Sequence, residues 1–485
     1  MRFTTALVTS LAGLLLVPAG LGQAAQKLGL NVHQSSDVGL DAARDSGTDW
    51  VRIDFNWYDA QPTSAAATDW SRFDTLINAA RARNLEVLAV IGYTPAWASS
   101  GDIGGGGAQN DVPTAGSFGP FVTAAVNRYK DRVTHWEIWN EPNLMQFFAG
   151  TPQQYIDRIL VPGADAVHAA CATCKVIGPG LASVGGEYAT WMDMVLAQAA
   201  AKLDIVSGHI YAAFTVDDAA AGLTKDSFFN KLELHRKVLL YEGPLSYREV
   251  MLARGVDKPF WLTETGREAA IGNTSAEASQ ALLYRRVLEA MLTRPWWDAT
   301  FFYEAFDEPG SGYTWGVVMH DPAAAGGYRP KQAFALLTKA ARSPAFGGTG
   351  SACDDGLDND GDNQVDFPAD SNCASASGPS EGALPVDAGV GVDGSLATPD
   401  AAVMVDDGGN VTPGPDAGTT GGSDAGTRAG GSSSGCSAGA SGAAAGDGGA
   451  AAAGALAALL LGAMLRGSRR RRCGPWRRGC DRDRA

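Results

Sequence analysis

Basic residues are in short supply in this chain: 38 Lys and Arg stand against 53 Asp and Glu, a formal net charge of −15 over 485 residues. That balance argues against a nucleic-acid partner, which needs a cationic face to neutralise phosphates. No Gly-rich phosphate loop follows the first apolar strand, so an open doubly wound sheet is the weaker fold alternative. Across residues 25–346 no His, Cys and Asp cluster has metal-ligand spacing. Long apolar runs are scarce too. The run over residues 6–17 is too short for a retained span. With Arg2 before it and the small residues Gly22 and Ala24 after it, residues 1–24 read as a secretory signal.

What is present after that signal is a regular alternation. Short apolar strands are expected over 28–33, 50–55, 85–92, 133–139, 175–178, 205–211, 260–264 and 300–304. Amphipathic stretches such as 70–83, 118–129, 153–170 and 275–293 lie between them. Strand–helix alternation is the pattern of a parallel sheet, and eight such units over 25–346 predict an α/β fold, a (β/α)8 TIM barrel with loop insertions.

The most informative stretch runs from His135 to Asn143. A buried strand breaks at Pro142, which cannot donate to a sheet ladder, and the break pushes out Asn140 and Glu141 at the strand end. An acid, an amide and the neighbouring indoles of Trp136 and Trp139 suit sugar chemistry: the acid protonates a glycosidic oxygen, the amide bonds a hydroxyl, and the indoles stack on a pyranose face. Glycoside hydrolysis needs a second carboxylate across the scissile bond. The apolar strand Phe260–Trp261–Leu262–Thr263 supplies one, ending in Glu264 and then Gly266.

The two motifs, WEIWNEPN followed by WLTETG, resemble those of the clan A glycoside hydrolases, with wording nearest to families thirty-nine and five. The resemblance spans roughly residues 26–345. It implies a retaining, cofactor-free hydrolase in which Glu141, ending the fourth strand, is the acid/base and Glu264, ending the seventh, is the nucleophile. It also implies that Arg52 on the second strand holds the nucleophile ionised; an internal ion pair of Arg52 with Glu137 is the alternative. Asn31 and His33 end the first strand as lining candidates. His209 and Tyr211 share a strand face at the end of the sixth and are placed to bond sugar or nucleophile, a core His being the plainer alternative. At the eighth strand many clan members carry a Trp under the sugar; here the platform is expected from Tyr303 or from Trp315 in the following loop. Trp97 adds aromatic surface, either for sugar or as core.

Cys171 and Cys174 fit a small disulfide in a secreted chain. Beyond residue 346 the composition turns acidic. Residues 350–375 hold Asp358, Asp360, Asp362, Asp366 and Asp370 between Cys353 and Cys373. Oxygen ligands two apart favour Ca2+, a hard cation, and the run resembles thrombospondin type-three repeats; a solvated acidic linker is the alternative. Residues 376–435 are Gly, Ala, Ser, Pro and Asp-rich, a flexible linker. Residues 436–485 hold Cys436, an apolar transmembrane stretch over 448–465 and an Arg-rich cytoplasmic tail. That order resembles a myxobacterial-type sorting signal and implies Cys436 as the processing site for a sorting protease. The expected whole is a secreted, cell-surface-anchored hydrolase of extracellular β-linked poly- or oligosaccharides. The alternative is a catalytically inactive surface protein that binds carbohydrate, or adheres through calcium.

Overall fold

The computed structural model describes residues 25–34, 37–101, 107–183, 187–211, 227–233 and 246–382. The expected signal, transmembrane stretch and Cys436, and the expected linker from residue 383 on, lie outside the described residues.

Eight parallel strands close into a barrel in sequence order. They are β1 (Lys27–Asn31), β2 (Trp50–Asn56), β3 (Glu86–Gly92), β4 (His135–Ile138), β5 (Lys175–Ala182), β6 (Ile205–His209), β7 (Phe260–Thr265) and β8 (Trp297–Phe302). Helices lie between them and after the last: α1 (Asp37–Asp45), α2 (Ser71–Ala82), α3 (Phe118–Tyr129), α4 (Val161–Ala170), α5 (Glu187–Ala199), α6 (Tyr247–Ala253), α7 (Thr274–Leu292) and α8 (Gln332–Ala340). β5 runs to Ala182, four residues past its expected end. The strand passes through Gly178, Pro179 and Gly180 with a register shift between Gly178 and Leu181.

Strand alternation sorts the side chains into two cores. One set packs between strands and helices. In β4, Trp136 belongs to it, against Phe55 of β2. The other set fills the barrel in layers. Trp50, Leu88, Ile177, Ile205, Trp261, Ala299 and Phe301 form an apolar floor, and His135 stacks on Trp261 at its edge. Next along the same strands come buried polar residues: Asn31, Arg52, Glu137, Ser207 and Thr263. The mouth of the barrel, at the strands' C-terminal ends, lies beyond them.

A three-stranded sheet, β9 (Phe306–Asp307), β10 (Val318–His320) and β11 (Tyr328–Pro330), follows β8. The acidic segment then packs beside α7 and α8. Lys339 of α8 bonds Asp354 and Asp366, and Glu289 of α7 accepts the backbone N–H of Asp358. Cys353–Cys373 and Cys171–Cys174 are both disulfides.

Candidate active site

Backbone strain gathers where the strands end. Non-glycine residues with positive φ are uncommon. His33 (52°), Tyr93 (70°), Trp139 (75°) and Glu141 (44°), at or just past the ends of β1, β3 and β4, all have it. Such conformations persist where the surrounding structure over-determines them. Trp139 is held by its indole N–H, which donates to the Phe147 carbonyl at 3.0 Å, and by packing on Tyr93, Phe118 and Phe148. Glu141 donates its backbone N–H to the Gly180 carbonyl.

Glu264 reaches the interior by a different device. Thr263 already faces inward, donating to Glu137, so strict alternation turns Glu264 outward. The register slips at this point: His209 of β6 pairs directly with Glu264, and β7 shifts against β8 between Leu262 and Thr265. The bulge brings both residues to the same side.

One carboxylate oxygen of Glu141, one of Glu264 and a ring nitrogen of His209 lie within 4.8 Å of one another. His209 Nδ1 is 2.8 Å from Glu141 Oε1 and 3.6 Å from Glu264 Oε2. Arg52 organises the floor beneath them. Its Nε donates to Glu137 Oε2 (2.8 Å), its Nη1 to Glu264 Oε1 (2.5 Å) and Asn31 Oδ1 (3.0 Å), and its Nη2 to Asn140 Oδ1 (2.9 Å). Arg52 therefore pairs with both Glu137 and Glu264. The Tyr211 hydroxyl donates to Glu264 Oε2 at 2.7 Å. Glu137 Oε1 takes the Ser207 and Thr263 hydroxyls, so this buried carboxylate is fully bonded.

The electrostatics separate the two acids. Burial and the nearby Glu264 charge hold the Glu141 carboxyl well above the usual range, with Glu137 pushing the same way. Burial also raises Glu264, but Arg52 and the Tyr211 hydroxyl oppose it by stabilising the charged form. His209, fully buried and near Arg52, is held well below the ordinary imidazole value and is neutral. Both carboxyls are thus raised, Glu141 further than Glu264, which is the order that paired acid and nucleophile chemistry uses.

The cavity above this floor is lined by His33, Asp54, Tyr93, Asn140, Glu141, Phe147, Glu264 and Tyr303. Asn140, with its oxygen tied to Arg52, keeps its amide N–H groups for the cavity. The expected aromatic walls fall elsewhere. Trp136 faces the helices, and Trp139 is fully buried among aromatic rings. Trp97 does not line the cavity; it packs on Trp57 and donates to the Gln61 carbonyl. Trp315 sits behind Tyr211 and Tyr303, edge-on at 5.5 and 6.0 Å. Tyr303 is the ring that reaches the cavity from β8. Phe147 has no signal in the sequence, since it comes from the irregular turn after Pro142.

In the acidic segment Asp358, Asp360 and Asp362 converge, with one oxygen each inside 4.8 Å. Asp366 is drawn away to Lys339 and the Gly356 N–H, and Asp370 groups instead with Cys373 and Glu381. Glu381, past the stretch singled out in the sequence, returns to accept the N–H groups of Asn359 and Asp366.

No family model matches the chain, and no curated protein matches it in sequence. Among solved structures it is similar to a family 39 glycoside hydrolase from the gut symbiont Bacteroides cellulosilyticus WH2, at 20% identity and TM-score 0.49 over 64% of this chain and 63% of that one. It is similar to a GH39 enzyme from Xanthomonas axonopodis pv. citri (17% identity, TM-score 0.48, 65% and 66% of the two chains). A monomeric beta-xylosidase from Caulobacter crescentus CB15 also aligns (18% identity, TM-score 0.48, 65% and 69%). The chain spans less than two thirds of the length of the Bacteroides protein.

Proposed function

We propose that this chain is a retaining glycoside hydrolase acting on β-linked poly- or oligosaccharides. The observation that carries this is the approach of Glu141 and Glu264, with carboxylate oxygens inside 4.8 Å at the ends of β4 and β7. Retaining pairs stand about 5–5.5 Å apart, whereas inverting pairs need about 6.5–9.5 Å to admit a water between acid and base. Glu141 gives its proton to the glycosidic oxygen while Glu264 attacks the anomeric carbon and forms a glycosyl-enzyme. Glu141, now ionised, then takes a proton from water, which displaces Glu264. Arg52 and Tyr211 keep the attacking oxygens charged and aimed, and Asn140 offers its amide to a ring hydroxyl.

An activated aryl β-glycoside separates the two roles. Glu264→Ala abolishes turnover. Glu141→Ala retains the first step, because the leaving group needs no proton, and azide rescues the second to give a β-glycosyl azide. Rescue of Glu264→Ala with retention, or of Glu141→Ala with inversion, reverses the assignment, and normal turnover in both variants ends the hydrolase proposal.

The setting is proposed as the cell surface, with Cys436 as the processing site of a tethered tail. Equal size and location of Cys436→Ala and parent removes that role. Ca2+ is proposed to sit among Asp358, Asp360 and Asp362, whose hard oxygen donors fit it.

A further inference from the structure

The cavity has a second polar cluster, which the two-carboxylate chemistry does not use. Asp54 follows Trp50 and Arg52 on the inward face of β2 and lines the cavity. His33, just past β1 in a left-handed conformation, clamps it: Nδ1 lies 2.9 Å from Asp54 Oδ2. The same ring reaches Tyr303 Oη at 3.2 Å and Glu304 Oε2 at 3.4 Å through Nε2. Burial opposes charge on His33, but the two carboxylates outweigh it and hold the imidazolium well above the ordinary value. Burial likewise opposes charge on Asp54, and His33 and Arg52 overcome it. Both groups are therefore ionised at neutral pH.

What this cluster leaves open is specific. His33 spends both ring N–H groups inside it. Asp54 Oδ1 has no hydrogen-bond partner among the described residues and is not among the buried, unpartnered atoms. The Tyr303 hydroxyl accepts from His33, which frees its own proton for an outside acceptor. The edge thus presents one charged acceptor and one donor in fixed positions, the complement of two neighbouring sugar hydroxyls. Its charge balance also selects. Arg52 is shared between Glu137 and Glu264, and His33 between Asp54 and Glu304. Among the described residues no other cation lines the cavity, so a ligand carboxylate finds no cationic partner there and meets Asp54 and Glu264.

We propose that Asp54, clamped by His33 and flanked by Tyr303, is a specificity edge that reads adjacent free hydroxyls of an uncharged sugar ring and turns uronates away. This rests on the hydrolase reading for its substrate class, not for its geometry. Selectivity here comes from like-charge repulsion as much as from attraction.

The test compares 4-nitrophenyl β-glycosides of neutral sugars (xylose, glucose) with the glucuronide. Parent protein favours the neutral sugars. Asp54→Asn lowers kcat/KM on them by about 10- to 100-fold, the range of one lost hydrogen bond to a charged group, and narrows the preference over the glucuronide. His33→Gln, with Asp54 left unclamped, raises KM for the neutral sugars more than it lowers kcat. Thermal melts of each variant separate misfolding from selectivity, and saturation-transfer NMR with free glucose and glucuronate reads binding without turnover. Parent hydrolysis with unchanged selectivity in Asp54→Asn overturns the edge and spares the hydrolase. Glucose binding lost in Asp54→Asn, with no parent hydrolysis, does the reverse. Equal turnover of the glucuronide by the parent, or no sugar binding at all, overturns the edge.

Discussion

Glu137 stands four residues before Glu141 and never meets the cavity, yet its charge bears on the acid. It is completely buried, bonded to Arg52, Ser207 and Thr263, and it helps hold the Glu141 carboxyl up. Removing a negative charge favours ionisation of Glu141, so its folded-state pKa falls. Glu137→Gln is therefore expected to move the alkaline limb of the kcat/KM profile to lower pH, with the acidic limb moving less. An unmoved alkaline limb in a folded variant would show that Glu137 only supports the fold. Glu141 and Glu264 were legible as single residues because each ends an apolar strand in a motif of its own. The wall residues were not. Trp136 looks like a cavity residue from its neighbours in sequence, but one step along a strand reverses the face. Glu264 escapes that same rule only through a bulge, which leaves no mark in residue order.

At the level of elements, β7 and β8 meet most tightly at Gly266. A Cβ there would run into the carbonyl oxygen of Tyr303 and touch the Trp315 ring. Gly266→Ala must displace the residue that carries the cavity's β8 hydroxyl. The expected loss is about 1–3 kcal/mol of stability, the usual cost of overpacking, together with weaker kcat/KM, read by denaturant melts and kinetics. A parent-like melt and rate would show that β8 yields freely. The eight strands were readable because each is an apolar run between turn residues. Their ends were less so: β6 stops at His209 and β1 at Asn31, short of Tyr211 and His33. Those ends bend where side chains from other strands hold them, and local sequence does not record a distant partner.

For the molecule as a whole, the acidic segment couples stability to pH. Burial pushes Asp355 and Glu381 up to about 7. Unfolded carboxylates titrate near pH 4, so between about pH 4 and 7 the folded segment binds more protons than the unfolded one. Its stability is then greatest below that window and falls as pH rises through it. Amide protection in 350–382, exchange divided by the intrinsic rate at each pH, is expected to be greater at pH 5 than at pH 8, and added Ca2+ at pH 8 is expected to raise it again by binding the folded form. Protection indifferent to both pH and Ca2+ would remove the segment's role as a cation site.

The polar layer inside the barrel has a consequence for how this protein can change over time. Asn31, Arg52, Glu137, Ser207 and Thr263 spend their bonds on one another and on the site above, so deleting one strands its neighbours. Losing one partner of a buried pair costs about 3–5 kcal/mol, whereas exchanging both for apolar groups is often neutral. Arg52→Met with Glu137→Leu should therefore melt higher than either substitution alone, although it silences the nucleophile. Single-step drift through this layer is blocked from the stability side, and compensated paths out of it lead through loss of activity. Lineages that keep the chemistry must inherit the layer as a block.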